Sequence, residues 1–174
     1  LYETKLAENL TFDSYVFFDD LKFAILNRSE HIAGDKGDVK RVLHPSDRSG
    51  AYKGRNSLYL YDTTKKVSER LTFGHSSVSL QSIHPDNQKI LVRVSEHNIT
   101  ERPFSKSTYY EMDLATLKMD SLFSDPFVSR ISYSPDAKRL IAMGSGDAFG
   151  GIGLNIPEGM ISNSYDNQLF LIDY

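Results

Sequence analysis

The chain has 174 residues, 25% charged and 40% hydrophobic, with a net charge of −3 and no cysteine. That length fits one domain-sized core, and a slightly acidic balance without a basic arm excludes holding nucleic acid through general positive charge. The apolar runs fall far short of the 18 or so residues of a membrane-spanning helix, and without cysteine there is no disulfide framework, zinc-thiolate site or thiol nucleophile.

The first ten residues carry Glu3, Lys5 and Glu8 and lack the apolar core of a signal peptide, so the sequence reads as starting in a mature protein or inside a longer one. Sequons at Asn9, Asn27 and Asn98 would matter only in a secreted eukaryotic protein. From Ser14 the chain repeats itself. A short strand-like run, an Asp-containing turn and a second apolar run occur in SYVFFDDLKFAIL, SLQSIHPDNQKILVRV and SRISYSPDAKRLIAM, with the turn aspartates at Asp20, Asp86 and Asp136. A second unit alternates with the first: SLYLYDTTKKVSERLT from Ser57, STYYEMDLATLKMDSL from Ser107 and NQLFLIDY at the end.

In Ser57 to Asp62, Leu58 and Leu60 point one way and Tyr59 and Tyr61 the other, the period of a strand, and neither face is strongly polar. Such strands suit a sheet covered on both sides. Pro85-Asp86-Asn87 and Pro135-Asp136-Ala137 suit tight turns, because Pro presets φ and Asp or Asn bonds the local backbone. Each repeat therefore supplies four antiparallel strands, A and B joined by the first turn and C and D by the second. Tyr15–Phe18, Val78–Ile83 and Ser129–Tyr133 are expected as the A strands, and Leu114–Leu117 is the one short stretch with any helical pattern. The predicted fold class is all-β, a β-propeller segment of about three four-stranded antiparallel blades in an incomplete ring, with blade pieces at about 1–12, 13–73, 77–123 and 127–174. The B–C connections, about Asn27–Asn56, Glu96–Lys106 and Gly144–Asn167, emerge on one face, which is expected to meet something.

Most polar clusters read as structure. The five histidines, His31, His44, His75, His84 and His97, form no short-spaced metal pair, and His84 stands in a turn. Asp35, Asp38 and Asp47 lack calcium-loop spacing and read as a solvated loop. The Gly144–Gly153 run lacks a phosphate-cradling motif. No metal site and no cofactor are expected.

The turn Tyr133-Ser134-Pro135-Asp136-Ala137-Lys138-Arg139-Leu140-Ile141 resembles the hallmark of TolB-type, WD40-like blades, an aromatic or Ser followed by Pro-Asp-Gly-Lys and an aliphatic strand. The second copy, Ile83 to Leu91, reads as one residue longer; the first, Phe18-Asp19-Asp20-Leu21-Lys22-Phe23-Ala24, lacks the Pro, and none keeps the Gly. The stretch from Gly144 to Tyr174 is similar to the propeller of bacterial dipeptidyl-peptidase-type members of the prolyl oligopeptidase family of serine peptidases. That resemblance implies a non-catalytic propeller portion that screens or positions a peptide substrate for an α/β-hydrolase domain of the same protein, in a periplasmic or secreted setting. No Gly-x-Ser-x-Gly elbow occurs, Gly144-Ser145-Gly146 lacking its second flank, and the adjacent glutamates with which such peptidases hold a free amine are missing. No catalytic residue is therefore expected in this segment. The alternatives are a TolB-like scaffold that binds a protein partner without enzymatic activity, and a propeller lyase or glycan-binding protein.

Two further expectations follow. Open blade edges and faces should promote self-association. The apolar side chains of Phe149, Ile152, Leu154, Ile156 and Met160, with Ile161, sit among glycines and have to be covered, which makes them candidates for a domain interface.

Overall fold

A computed structural model describes residues 12–31, 54–98, 100–153 and 167–174, the side chain of His31 excepted. Eleven strands run in chain order: β1 Ser14–Phe17, β2 Phe23–His31, β3 Gly54–Asp62, β4 Val67–Arg70, β5 Ser77–Ile83, β6 Lys89–His97, β7 Ser105–Asp113, β8 Met119–Ser124, β9 Val128–Tyr133, β10 Arg139–Gly144 and β11 Gln168–Asp173. They form three antiparallel meanders, β1-β2-β3-β4, β5-β6-β7-β8 and β9-β10-β11. The expected A strands are β1, β5 and β9. The first two sheets have all four strands of a blade, and the third has A, B and C among the described residues. Of the leading blade piece expected at about 1–12, residues 1–11 lie outside the described residues. The chain divides into two compact units, 1–80 and 81–174, with the division inside β5.

Both units rest on strands with consecutive buried residues. Ala24, Ile25 and Leu26 in β2, and Ile90, Leu91 and Val92 in β6, are buried, so both faces of these B strands are covered. In unit 1, Ala24, Leu26 and Tyr61 form a cluster against which Phe12, Phe17 and Tyr59 pack. In unit 2, Leu91 and Tyr109 of one sheet pack with Val128, Ile131, Tyr133, Leu140 and Ala142 of the next.

The three A–B turns are the same turn. The N–H of Phe18, His84 and Ser134 donates to the carbonyl of Phe23, Lys89 and Arg139, and the N–H of Leu21, Asn87 and Ala137 donates back to Phe18, His84 and Ser134. Every copy spans the same number of residues, which corrects the longer reading of the second. The turn aspartate does the same job each time, Oδ1 of Asp20, Asp86 and Asp136 accepting from the N–H of Lys22, Gln88 and Lys138 at 2.9, 2.8 and 3.2 Å. In the C–D turns, Asp62 Oδ1 accepts from Thr64 and Lys65, and Asp113 Oδ1 from Ala115 and Thr116. Leu114–Leu117 is therefore turn rather than helix; the helical turn is α1, Ala148–Gly151. Hydrogen bonds from the Lys65 backbone to Asp62, from the Thr116 hydroxyl to Asp113 and from the Ser134 hydroxyl to Asp136 hold these carboxyls below the usual aspartate range.

Where the hallmark has glycine, the chain still adopts positive φ: Leu21 at 57°, Asn87 at 62° and Ala137 at 55°. A Cβ in this region costs about 1–2 kcal/mol, less for Asn, whose side chain tolerates it. Leu21→Gly and Ala137→Gly should each raise stability by a few tenths to about 1 kcal/mol, since glycine's greater unfolded freedom takes back part of the gain. Asn87→Gly should be near neutral. Urea midpoints of the three variants check this, and a loss at all three positions would contradict it.

Candidate functional site

The two ends of each sheet differ. At one end sit the uniform A–B and C–D turns; at the other, the B–C connections run over residues 32–53, 98–104 and 145–167.

In unit 1 this variable end is charged and aromatic. Register places Glu30 opposite Arg55, and Arg70 opposite Tyr59. Arg70 Nη1 lies 3.3 Å and Arg55 Nε 3.6 Å from the Glu30 carboxylate. Arg70 Nε also donates to the Thr72 carbonyl and Nη2 to the Ser57 hydroxyl, while its guanidinium lies over Tyr59 and Phe73 at 5.8 and 5.4 Å. Arg55 Nη1 donates to the Gly74 carbonyl and lies 3.1 Å from His75 Nδ1, which must be the accepting nitrogen. Two guanidinium groups on one carboxylate leave an excess positive charge, beside a Phe73 side chain that is 72% exposed. The chemistry available is recognition of an anionic or aromatic group. Sequence reading missed this cluster because its members come together only through strand register.

In unit 2 the variable end is built around a buried carboxylate. Asp125 accepts from the N–H of Phe127 through Oδ1 at 2.8 Å and from the N–H of Phe149 through Oδ2 at 2.6 Å, tying the D–A connection to α1. Phe149, at φ 54°, packs between Phe123 and Phe170 with its ring inclined to both and centroids 5.2 and 5.1 Å away. A Cβ on Gly144 would meet the Phe127 carbonyl at 2.7 Å, so the close strand approach there requires glycine. Of the proposed interface residues, Phe149 is half-buried between the β5–β8 and β9–β11 sheets and Ile152 is 73% exposed. Leu154, Ile156 and Met160, with Ile161, lie outside the described residues, as do Asp35, Asp38, Asp47 and His44. Ser145 closes a turn through its backbone, and its buried hydroxyl has no hydrogen-bond partner among the described residues. Among the described residues there is no cluster of three metal-ligating side chains and no helix long and apolar enough to cross a membrane.

The uniform end of unit 2 holds a second polar cluster. Glu111 on β7 accepts from Lys89 Nζ at 2.9 Å, from the Tyr133 hydroxyl at 2.6 Å and from the Tyr174 hydroxyl. His84, in its turn as expected, sets its ring edge-on to Tyr133 at 4.7 Å, and its Nδ1 lies 2.6 Å from the Asp86 carboxylate. Glu111 joins strands of both sheets in the unit, a structural role.

No family model matches the chain, and no curated protein matches it. Solved structures do. TolB from Acinetobacter baumannii is similar over 92% of this chain, with a TM-score of 0.55 and 18% identity. An acylaminoacyl peptidase, solved in complex with Z-Gly-Gly-Phe-chloromethyl ketone, is similar over 77% of this chain, with a TM-score of 0.50 and 13% identity. The chain is a β-propeller segment. At these identities the likeness is one of fold, and the segment spans 29% of the TolB chain and 17% of the peptidase chain.

Proposed function

We propose that this chain is a non-catalytic propeller portion of a serine exopeptidase or oligopeptidase, of the dipeptidyl-peptidase type, that screens or positions peptides for an α/β-hydrolase domain of the same protein in a periplasmic or secreted setting. The observation that carries the reading is the asymmetry between the sheet ends. The turns at one end are nearly invariant, whereas the B–C ends bear the long connections, the Arg55–Glu30–Arg70 cluster with Phe73, and the exposed Ile152. Variable, partly apolar connections on a rigid scaffold are where binding surfaces are built. The lack of a nucleophile elbow assigns the chemistry to another domain, and the likeness to a peptidase is consistent with that division of labour.

The segment alone should turn over no aminoacyl-proline chromogenic substrate, and in the intact enzyme Ile152→Ser should lower peptidase activity several-fold at an unchanged melting temperature. Turnover by the segment that a fluorophosphonate inhibits would overturn the division of labour. Unchanged activity of the Ile152 variant would favour the TolB-like scaffold, in which these ends bind a protein partner.

A further inference from the structure

The charged cluster at the variable end of unit 1 has more donors than its own contacts take up. Pairing of Glu30 with Arg55 and of Tyr59 with Arg70 puts these side chains on one face of the β1–β4 sheet, and Arg28, two residues before Glu30, lies on the same face. Asp13, whose carboxylate accepts from the Ser29 N–H, is placed opposite Arg28 by the pairing of Ser14 with Asn27. Among the described residues, three guanidinium groups therefore stand against two carboxylates on this face. Arg55 and Arg70 share the single carboxylate of Glu30, and the side chains of Arg55, Arg70 and Glu30 remain 24%, 31% and 25% exposed, within reach of a solute. Arg55 Nη1 is spent on the Gly74 carbonyl and on His75 Nδ1, and Nη2 takes part in neither contact. With Nδ1 accepting, the neutral His75 ring carries its proton on Nε2, a further donor on an exposed residue. Arg70 is held in place by the Thr72 carbonyl and the Ser57 hydroxyl, with its guanidinium against the exposed ring of Phe73.

We propose that Arg55 and Arg70, with the Nε2–H of His75 and the ring of Phe73, form a subsite for a carboxylate group of a bound peptide. This rests on the reading of the B–C ends as a peptide-binding surface and names the class of peptide, one with a carboxylate beside an apolar side chain. A single unbalanced positive charge matches a singly charged carboxylate, whereas a dianionic phosphate would leave the cluster negative. A planar guanidinium takes a carboxylate through parallel N–H bonds, and a side chain already held in place loses little freedom in doing so. Phe73 offers the neighbouring residue of the peptide an apolar face that a free phosphate cannot use. Glu30 is the internal competitor, because it occupies the same two guanidinium groups and repels an incoming carboxylate. An acidic side chain and a peptide C-terminus share this chemistry.

Isothermal titration of the full-length protein, treated with a fluorophosphonate so that no peptide is turned over, tests the proposal. The probes are Ala-Ala-Glu-Phe amide, Ala-Ala-Gln-Phe with a free C-terminus, and the neutral Ala-Ala-Gln-Phe amide. At least one carboxylate peptide should bind about tenfold more tightly than the neutral one, and which of the two does so identifies the side chain or the C-terminus as the source. Arg55→Gln and Arg70→Gln should each abolish that preference. Glu30→Gln should instead strengthen carboxylate binding several-fold, a gain that neither misfolding nor a purely structural ion pair produces. A neutral peptide that binds as tightly as both carboxylate peptides would overturn the subsite and leave peptide positioning standing, whereas no binding of any peptide would overturn both. A Glu30→Gln variant that binds carboxylates no more tightly than wild type, or inorganic phosphate that binds more tightly than either carboxylate peptide, would also overturn the proposal.

Discussion

Tyr109→Ala should lower the stability of unit 2 by about 3–5 kcal/mol, the usual cost of truncating a buried aromatic in a core. Tyr109 is fully buried, its ring lies 4.9 Å from Phe123, and its hydroxyl donates to the Val128 carbonyl at 2.6 Å. Truncation removes the ring and strands that carbonyl. Tyr109→Phe loses only the hydrogen bond and should cost about 1 kcal/mol. The register supplies an internal control. Leu169 holds the same place in the third sheet but is 75% exposed, so Leu169→Ala should change stability by less than about 0.5 kcal/mol. Urea unfolding followed by circular dichroism measures all three. Equal losses at Tyr109 and Leu169 would mean that burial in this fold does not set the energetics.

The second large effect is expected at Glu111, where alanine would leave the Tyr133 and Tyr174 hydroxyls and the Lys89 ammonium without their acceptor. An unsatisfied buried donor costs about 1–3 kcal/mol, more when charged, and such a loss is expected at neutral pH. The cluster also gives stability a pH dependence. Burial works against ionisation of Glu111, but hydrogen bonds from Lys89, Tyr133 and Tyr174 outweigh it and hold the carboxyl below its ordinary 4.5. A folded pKa below the unfolded one gives stability that is complete above the unfolded value and disappears as pH falls through the folded one. Lys89 is shifted the other way, raised above 10.5 by its hydrogen bond to Glu111, so its contribution is complete below 10.5 and disappears as pH rises through the folded value. Tyr133, raised by burial and by the same carboxylate, acts in the same sense on the alkaline side. Wild-type urea midpoints should therefore decline at both extremes, and Glu111→Gln should flatten both declines. An acid limb unchanged in Glu111→Gln would place the titrating group elsewhere, with the turn aspartates next to be examined.

Much of the fold was legible because the features that encode it are local. Alternating side chains in Ser57–Asp62 mark a strand wherever that strand ends up. An aspartate that bonds the N–H two residues on shapes a turn using atoms of its own segment, so Asp20, Asp86 and Asp136 announced three equivalent hairpins. The reading of an extra residue in the second copy failed on comparison of loosely matched ends, and the repeated bond from His84 N–H to the Lys89 carbonyl sets the count right. The candidate site was less legible. Arg55 and Arg70 are 15 positions apart and 25 and 40 from Glu30, so nothing local links them. Only the pairing of β2 with β3 and of β3 with β4 brings them to one carboxylate. Phe149 looked like a residue in search of a cover, and it finds one within unit 2, between Phe123 of one sheet and Phe170 of the next, held there by the Asp125 carboxylate.

By itself the sequence determined the strand period, the turn chemistry, the order of strands within each blade and the absence of a nucleophile elbow, all properties of short stretches of chain. The tertiary structure decided which of several equivalent side chains is buried. Leu58, Tyr109 and Leu169 share one register position and similar apolar character, yet the first two are fully buried and the third is mostly open to solvent. Burial is conferred by whatever packs across the sheet, and that neighbour belongs to a distant part of the sequence that the local stretch does not specify.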